Sequence, residues 1–403
     1  MAQSNGHIRE YAFGGDYVQK QSIILSMVDT ELMTTQNPES SGTRTELVYI
    51  INSLHTGGAE IGMCRLLDGL DQREYDVTVI SLDGHSEDLT DQTPPWVRVI
   101  DLRLRSGPNV STLRALYSPI RTADVIVGSL YHSSMVARLA QVVNLDATIA
   151  TWQHADQFIT NFRRRTFRWT AGFSDVILAD SEPVAEMLIS ELGLDSCLVH
   201  TVPIAGIDLQ EYTPVTHQNS TDITVGTIGR LAKQKNITAV LDVAEQFHDS
   251  KVRFEIAGDG ELYDELQAQI GERGLSNVSL LGFVENIPSF LANLDIYFQP
   301  SLWEGLCITV LEAMAAELPI VGSAVGGIQR TVQHEQTGFL RDPEAVDQFV
   351  SDIQTLGDNP TLRSEFGRKG RNIVEHKYTK DVLIEEFETA IQNNHIKKDQ
   401  MSK

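Results

Sequence analysis

ELVYIINSLHTGGAE, residues 46–60, runs from a β-branched apolar stretch through a glycine pair into helical pattern, the form of a buried strand turning into a helix. Four more short runs of the same kind follow: DVTVISL (76–82), DVIVGS (124–129), ATIATW (147–152) and DVILAD (175–180). Helix-patterned sequence separates them, and strands that alternate with helices build a parallel sheet covered on both faces. The stretch TPVTHQNST (213–221) breaks this rhythm with turn and linker residues. A second cycle then starts: DITVGTIG (222–229), KVRFEIAG (251–258), NVSLLGF (277–283), LDIYFQP (294–300) and LPIVGS (318–323). We therefore expect two Rossmann-like, doubly wound α/β domains, residues 46–213 and 214–378, with a ligand cleft where the carboxyl ends of their strands face each other. A length of 403 residues fits that division, because a single core stops growing at roughly 250–300 residues. Residues 1–45 are polar and aperiodic apart from QSIILSMV (21–28), and read as an N-terminal extension ending in the linker SSGTRT (40–45).

Charge and composition exclude several classes. With 55 acidic against 32 basic residues the net charge is −23, a surface that repels phosphate backbones, so nucleic acid is not an expected partner. Ten of the basic residues are Lys, and none lies between Lys20 and Lys233, a bias that predicts adaptation to high salt. Best activity and folding below about 0.2 M salt, where repulsion is least screened, would contradict that expectation. The three cysteines, Cys64, Cys197 and Cys307, are too few and too scattered for a disulfide framework or a metal cluster, which suits a reducing cytoplasm. The N-terminus lacks the basic start and long apolar core of a signal peptide, and no segment reaches about 18 unbroken apolar residues, so a soluble or peripheral cytoplasmic protein is expected.

The loops after the strands carry the chemistry. In SLHTGGAE (53–60) the N–H groups of Gly57, Gly58 and the helix start can face an anion, although a plain β–α turn would read the same, and the G-x-G-x-x-G dinucleotide fingerprint is absent. In GRLAKQKN (229–236), Arg230 and Lys235 can converge on one anion if the loop wraps it, and two cations on a diphosphate would stabilise a departing nucleotide. The alternative, two solvated loop cations, is less comfortable in a chain so poor in Lys. GDGE (258–261) repeats the strand–turn–helix pattern and can be a simple capped turn.

SLWEGLCITVLEAMAAELPIVGSAVGG (301–327) holds two glutamates, Glu304 and Glu312, among apolar and small residues. The run Leu306 to Ala316 is helical and apolar nearly all round, hence buried. Three and four positions either side of Glu312 lie Ile308, Thr309, Ala315 and Ala316, none cationic, so its charge needs a partner from outside the helix. Glu304 stands at the helix mouth, where the helix dipole alone would favour a carboxylate. Two acceptor-only carboxylates beside a phosphate loop suit a ligand rich in hydroxyl donors, such as a sugar nucleotide. GSLYHSS (128–134) and TWQHADQ (151–157) each put a histidine just past a strand, and His154 lies nearer the middle of the cleft by strand order.

The ordered set HTGGAE, GRLAKQKN, GDGE, GFVENIP and EGLCITVLEAMAAELPIV…GGI…TGFL resembles, from about residue 46 to 393, the family-4 retaining glycosyltransferases of the GT-B fold, the E-x7-E glutamate pair being its most specific element. The resemblance implies a nucleotide-diphosphate sugar, UDP-linked by preference, lying against the second domain. Arg230 and Lys235 would hold the diphosphate, Glu312 the ribose, Glu304 the sugar hydroxyls and the backbone near Val284 the base. Gly57 and Gly58 would close over the phosphates, and His154 would stand at the reaction centre. Gly305, Leu306 and Cys307 would meet the sugar; the family has an aromatic and a glycine where this chain has Leu306 and Cys307. After GGI the usual proline and glutamate are Gln329 and Arg330 here. The final stretch, 379–403, would cross back onto the first domain as a helix followed by a tail. The implied reaction is hexosyl transfer with retention to a glycan, lipid-linked or glycoprotein acceptor, without a metal or other cofactor. The alternatives are a phosphorolytic GT-B enzyme, with orthophosphate in the Arg230/Lys235 site, and a non-catalytic nucleotide-sugar binder. NFRRRTFRW (161–169) is a dense basic patch interleaved with aromatics; in the family a cationic helix there often faces an anionic membrane or lipid-phosphate acceptor, which would make Arg163, Arg164 and Arg165 the contacts, and a solvated helix is the alternative.

Overall fold

The computed structural model describes residues 44–401 apart from 56, 85–92, 105–108, 156–157 and 217–221, with side chains as far as 392. The expected N-terminal extension up to residue 43, and the part of the linker at 217–221, lie outside the described residues.

The first sheet contains β1 (Thr45–Ile51), β2 (Tyr75–Ser81), β3 (Arg98–Asp101), β4 (Val125–Ser129), β5 (Thr148–Gln153), β6 (Val176–Ala179) and β7 (Val199–Thr201). Their order is 3-2-1-4-5-6-7, all pairs parallel. The second sheet contains β8 (Ile223–Ile228), β9 (Val252–Ala257), β10 (Val278–Gly282), β11 (Ile296–Gln299), β12 (Ile320–Ser323) and β13 (Gly338–Arg341), in the order 10-9-8-11-12-13 and again parallel. In each sheet the strand order reverses beside the first strand, at β1/β4 and at β8/β11. Those switch points are where open parallel sheets bind ligands. The interior strands bury both faces, which is why they read as unbroken apolar runs: Leu47, Tyr49 and Ile51 enter one core, Val48 and Ile50 the core on the opposite face. The second sheet is likewise sandwiched between two cores.

Three strands were not expected from the sequence, β3, β7 and β13, and each is at a sheet edge. An edge strand has one partner and a partly solvated face, so β3 (RVID) and β7 (VHT) need no long apolar run.

The chain crosses between the domains twice, and the crossings are tied together. Ile207 N–H donates to Tyr378 O at 2.8 Å and Lys380 N–H to Ile207 O at 3.2 Å. Arg371, from helix Pro360–Lys377, donates to the carbonyls of Tyr212 (2.8 Å), Leu209 (3.1 Å) and Ala315, fixing the first connector to the second domain. Helix Lys380–Met401 then returns to the first domain and places Leu383, Phe387, Ala390 and Ile391 in the core that holds Tyr49 and Trp152. The Phe387 and Trp152 rings stack at 5.9 Å and 10°. Among the described residues, no helix is long and apolar enough to cross a membrane.

Candidate active site at the domain cleft

In the second domain, the strand β11 ends at Gln299 and the helix begins only at Ile308, two residues later than expected, so Glu304 belongs to a loop and the helix dipole does not account for it. Glu304 is 6% exposed. Oε1 accepts from Lys235 Nζ at 2.7 Å and Ser301 Oγ at 2.8 Å, and Oε2 from Gln234 Nε2 at 3.3 Å. Burial alone would lower the Lys235 pKa, but the Cys307 and Glu304 side chains outweigh it and the net shift is upward. Burial pushes the Cys307 thiol up to about 11, so it is neutral near pH 7 and Glu304 is what keeps Lys235 charged there. An ammonium has three donors. With one on Glu304, Lys235 retains capacity for an anion. Arg230, in the same loop, is exposed and close enough to oppose the Lys235 charge.

The GDGE loop has a definite job here. Its Gly258 and Gly260 take positive φ, 141° and 157°, and a Cβ on Gly258 would lie 1.9 Å from Gly229 O. Leu231 N–H donates to Asp259 O at 2.9 Å and Leu262 N–H to Leu231 O at 3.0 Å. GDGE thus forms the floor under GRLAKQKN.

Eight positions beyond Glu304, Glu312 is 2% exposed in helix Ile308–Ala315. The expected outside partner is Arg65, from helix Gly58–Gly69 of the first domain, whose Nη2 donates to Oε1 at 2.6 Å. Tyr212 OH donates to the same oxygen at 3.1 Å, and Arg65 Nη1 to Ala205 O at 2.8 Å. Burial opposes the Arg65 charge, but Glu312 and Tyr212 outweigh it and raise its pKa. Removing one partner of such a pair leaves a buried charge uncompensated, at a cost of about 3–5 kcal/mol. Oε2 of Glu312 is buried and without a hydrogen bond among the described residues. Glu312, Arg65 and Tyr212 line a 370 Å³ cavity together with Phe283 and Val284 from the GFVENIP loop.

The first domain supplies the opposite wall. Helix Gly58–Gly69 starts at the glycine pair, and a Cβ on Gly58 would stand 3.6 Å from Ile308 Cδ1. His154, just past β5, is bracketed: Ser129 Oγ is 2.8 Å from Nε2, Asp180 Oδ2 is 3.3 Å from Nδ1, and the Trp152 ring stacks on it at 5.9 Å and 18°. The same Trp152 rests on Phe387, so the returning helix underpins the histidine. Burial raises the Glu60 pKa, against the pull of a backbone hydrogen bond, His154 and His55. The two domains meet at this point, because a Cβ on Gly305 would lie 2.2 Å from His154 O. Glycine is required there to admit the carbonyl. Gly327 N–H donates to Gly305 O at 2.8 Å, holding the loop. Leu306 packs, half-buried, into the second domain's core.

Glu304, Lys235, Cys307, Gly305 and His154 are therefore brought together, and Glu312 and Val284 share the adjoining cavity. His132 is not part of either group: it is exposed on helix Tyr131–Ala140, edge-on to Tyr131. The basic segment forms helix Asn161–Thr170, pinned by the buried Arg138, which donates to Phe167 O and Thr170 Oγ1, both at 2.8 Å. Arg163 lies over the Tyr131 ring and Arg164 pairs with Glu191 at 3.4 Å, while Arg165, Phe162 and Trp169 are exposed. Sequence reasoning missed Arg65, Tyr212, Ser129 and Asp180. Ser129 and Asp180 had a usable signal: each is the polar residue that closes an otherwise apolar strand, DVIVGS and DVILAD.

Comparison with known proteins bears on the family and the fold. Residues 56–211 match the family described as Glycosyltransferase Family 4, and residues 210–373 the family described as Glycosyl transferases group 1. The chain is similar to a UDP-Gal:alpha-D-GlcNAc-diphosphoundecaprenol alpha-1,3-galactosyltransferase of Escherichia coli, 30% identical over 195 residues, 44% of this chain and 50% of the relative. It is also similar to a poly(ribitol-phosphate) alpha-N-acetylglucosaminyltransferase of Staphylococcus aureus, 28% identical over 171 residues, 41% of this chain and 35% of the relative. The chain thus spans half or less of the length of these curated relatives. Among solved structures, Anabaena HepE in complex with UDP and glucose superposes with a TM-score of 0.76 at 19% identity, over 86% of this chain and 99% of the other. Two adjoining family matches from residue 56 to residue 373, carried on two parallel sheets that meet at one cleft, make this chain a member of the GT-B glycosyltransferases.

Proposed function

We propose that the protein is a retaining hexosyltransferase that takes its sugar from a UDP-linked donor and passes it to a glycan or lipid-linked acceptor without a metal ion. The observation that carries this reading is the meeting of Glu304, paired to Lys235, with the His154 backbone at Gly305. Arg230 and Lys235 face the diphosphate, Glu304 Oε2 accepts from sugar hydroxyls, and Glu312 accepts from the ribose. The Ser129 and Asp180 contacts fix the His154 ring at the reacting face. The bond from the anomeric carbon to the diphosphate breaks and the bond to the acceptor oxygen forms on the same face, while the acceptor proton passes to the released diphosphate. The two cations compensate the charge that develops on the leaving group, which is where preorganised electrostatics contribute most. The diphosphoundecaprenol and poly(ribitol-phosphate) named for the two relatives support a lipid-linked or polymeric acceptor.

The membrane reading fits the exposed face of helix Asn161–Thr170, where Phe162 is 72% and Trp169 85% exposed next to Arg165. Aromatics and arginines on one face suit an anionic bilayer surface. Flotation with anionic liposomes should fall when Arg163, Arg164 and Arg165 are replaced by Ser; unchanged flotation removes this contact.

Incubation with a panel of UDP- and GDP-sugars, with release of nucleoside diphosphate as readout, tests the main reading. Slow release from one UDP-sugar, unaffected by EDTA, is the expected result. Release of sugar phosphate that requires added orthophosphate would instead identify a phosphorolytic enzyme, and tight binding without release a non-catalytic binder.

A further inference from the structure

Two buried or half-buried arginine–carboxylate pairs in this protein are built differently. Arg341 grips both oxygens of Asp352, Nε to Oδ2 at 2.7 Å and Nη2 to Oδ1 at 2.8 Å, the fork-on-fork form of a structural pair. Among the described residues Arg65 meets Glu312 through one oxygen, Oε1; the same Nη2 also reaches Tyr212 OH at 3.4 Å, and Nη1 is spent on Ala205 O at 2.8 Å. Tyr212 adds a second donor to the same Oε1. Two donors thus converge on one oxygen while Oε2, itself buried, has none among the described residues. A buried acceptor left unsatisfied is costly, and if the pair served stability alone an apolar replacement or a bidentate grip would serve better. The arrangement makes sense if a ligand in the 370 Å³ cavity supplies the missing donor.

We propose that Arg65, a first-domain residue, is a positioning residue for the donor nucleoside: it holds Oε1 so that Oε2 of Glu312 presents to a ribose hydroxyl, and ribose recognition thereby depends on both domains. The proposal rests on the reading of Glu312 as the ribose acceptor. The first domain already lines that cavity with Ile61, Cys64, Arg65 and Asp68. The nucleoside would therefore sit between the domains rather than on the second alone.

Calorimetric titration of wild type, Arg65→Met and Arg65→Gln with UDP and with 2′,3′-dideoxy-UDP tests this, the corresponding GDP pair being run in parallel. Wild type should prefer the ribose form by about tenfold or more, because a site built to bond a hydroxyl rejects the analogue that lacks it. Both variants should lose most of that preference while affinity for the dideoxy form changes little, and Arg65→Lys, which keeps the charge, should regain part of it. A purely structural role would weaken both ligands together and leave the ratio intact. An unchanged ratio in either folded variant, or tighter UDP binding by Arg65→Met, overturns the proposal. Failure of wild type to bind any of the four ligands would instead overturn the nucleotide-sugar reading on which it stands.

Discussion

Glu304 and Glu312 are the same residue on the same segment, both more than nine-tenths buried, yet they are held by different parts of the molecule. Among the described residues Glu304 takes its donors, Lys235, Ser301 and Gln234, from its own domain. Glu312 takes one from the opposite domain and one from the connector. A carboxylate gripped inside one rigid body keeps its geometry however the domains move. One gripped across the cleft has its full set of partners only when the domains are together. We propose that this difference divides the work, with Glu304 serving the chemical step and Glu312 recognition of the donor, coupled to closure.

The largest effect should come from breaking the intradomain site. Glu304→Ala and Arg230→Ala should each lower turnover at saturating donor by about 10²–10³, the loss expected for removing a preorganised electrostatic group. Steady-state release of UDP reads this, and near-wild-type turnover in both would sink the assignment. Glu312→Ala should act next and differently: donor KM should rise by about tenfold to a hundredfold with turnover changed far less, because binding common to ground and transition states shows in KM. Equal losses in turnover for the two glutamates would erase the distinction between them.

A second ion pair across the cleft sharpens the contrast. Arg330 and Glu186 meet at 3.0 Å, but both are more than half exposed. Arg330→Ala should change stability by only about 0–1 kcal/mol and donor KM by less than about threefold, since solvent screens such a pair. Denaturant unfolding together with donor KM measures both; a KM change as large as that of Glu312→Ala would show that any bridge across the cleft matters, not burial of the bridge.

Much of the fold was legible because parallel strands buried on both faces cannot hide: β1, β4, β8 and β11 are near-continuous apolar runs. Edge strands β3, β7 and β13 escape that rule. The places of Gly57, Gly58, Arg230, Lys235 and Glu304 at the cleft were legible because each falls between the carboxyl end of a strand and the start of the next helix, where position along the chain predicts position at the sheet edge. Arg65 was not, because its partner lies 247 positions away and no pattern in either helix sets the register between two domains. The need for a partner was legible, from the lack of cations around Glu312; its identity required the fold.

Titrating UDP into Glu304→Gln and Glu312→Gln side by side, while following turnover of the donor sugar, separates the two roles. The division of labour predicts that Glu304→Gln binds UDP within about threefold of wild type yet turns over at least about 10² more slowly, and that Glu312→Gln loses UDP affinity and keeps most of its turnover at saturation. If Glu304→Gln loses UDP affinity while Glu312→Gln retains it, the two roles are not divided as described.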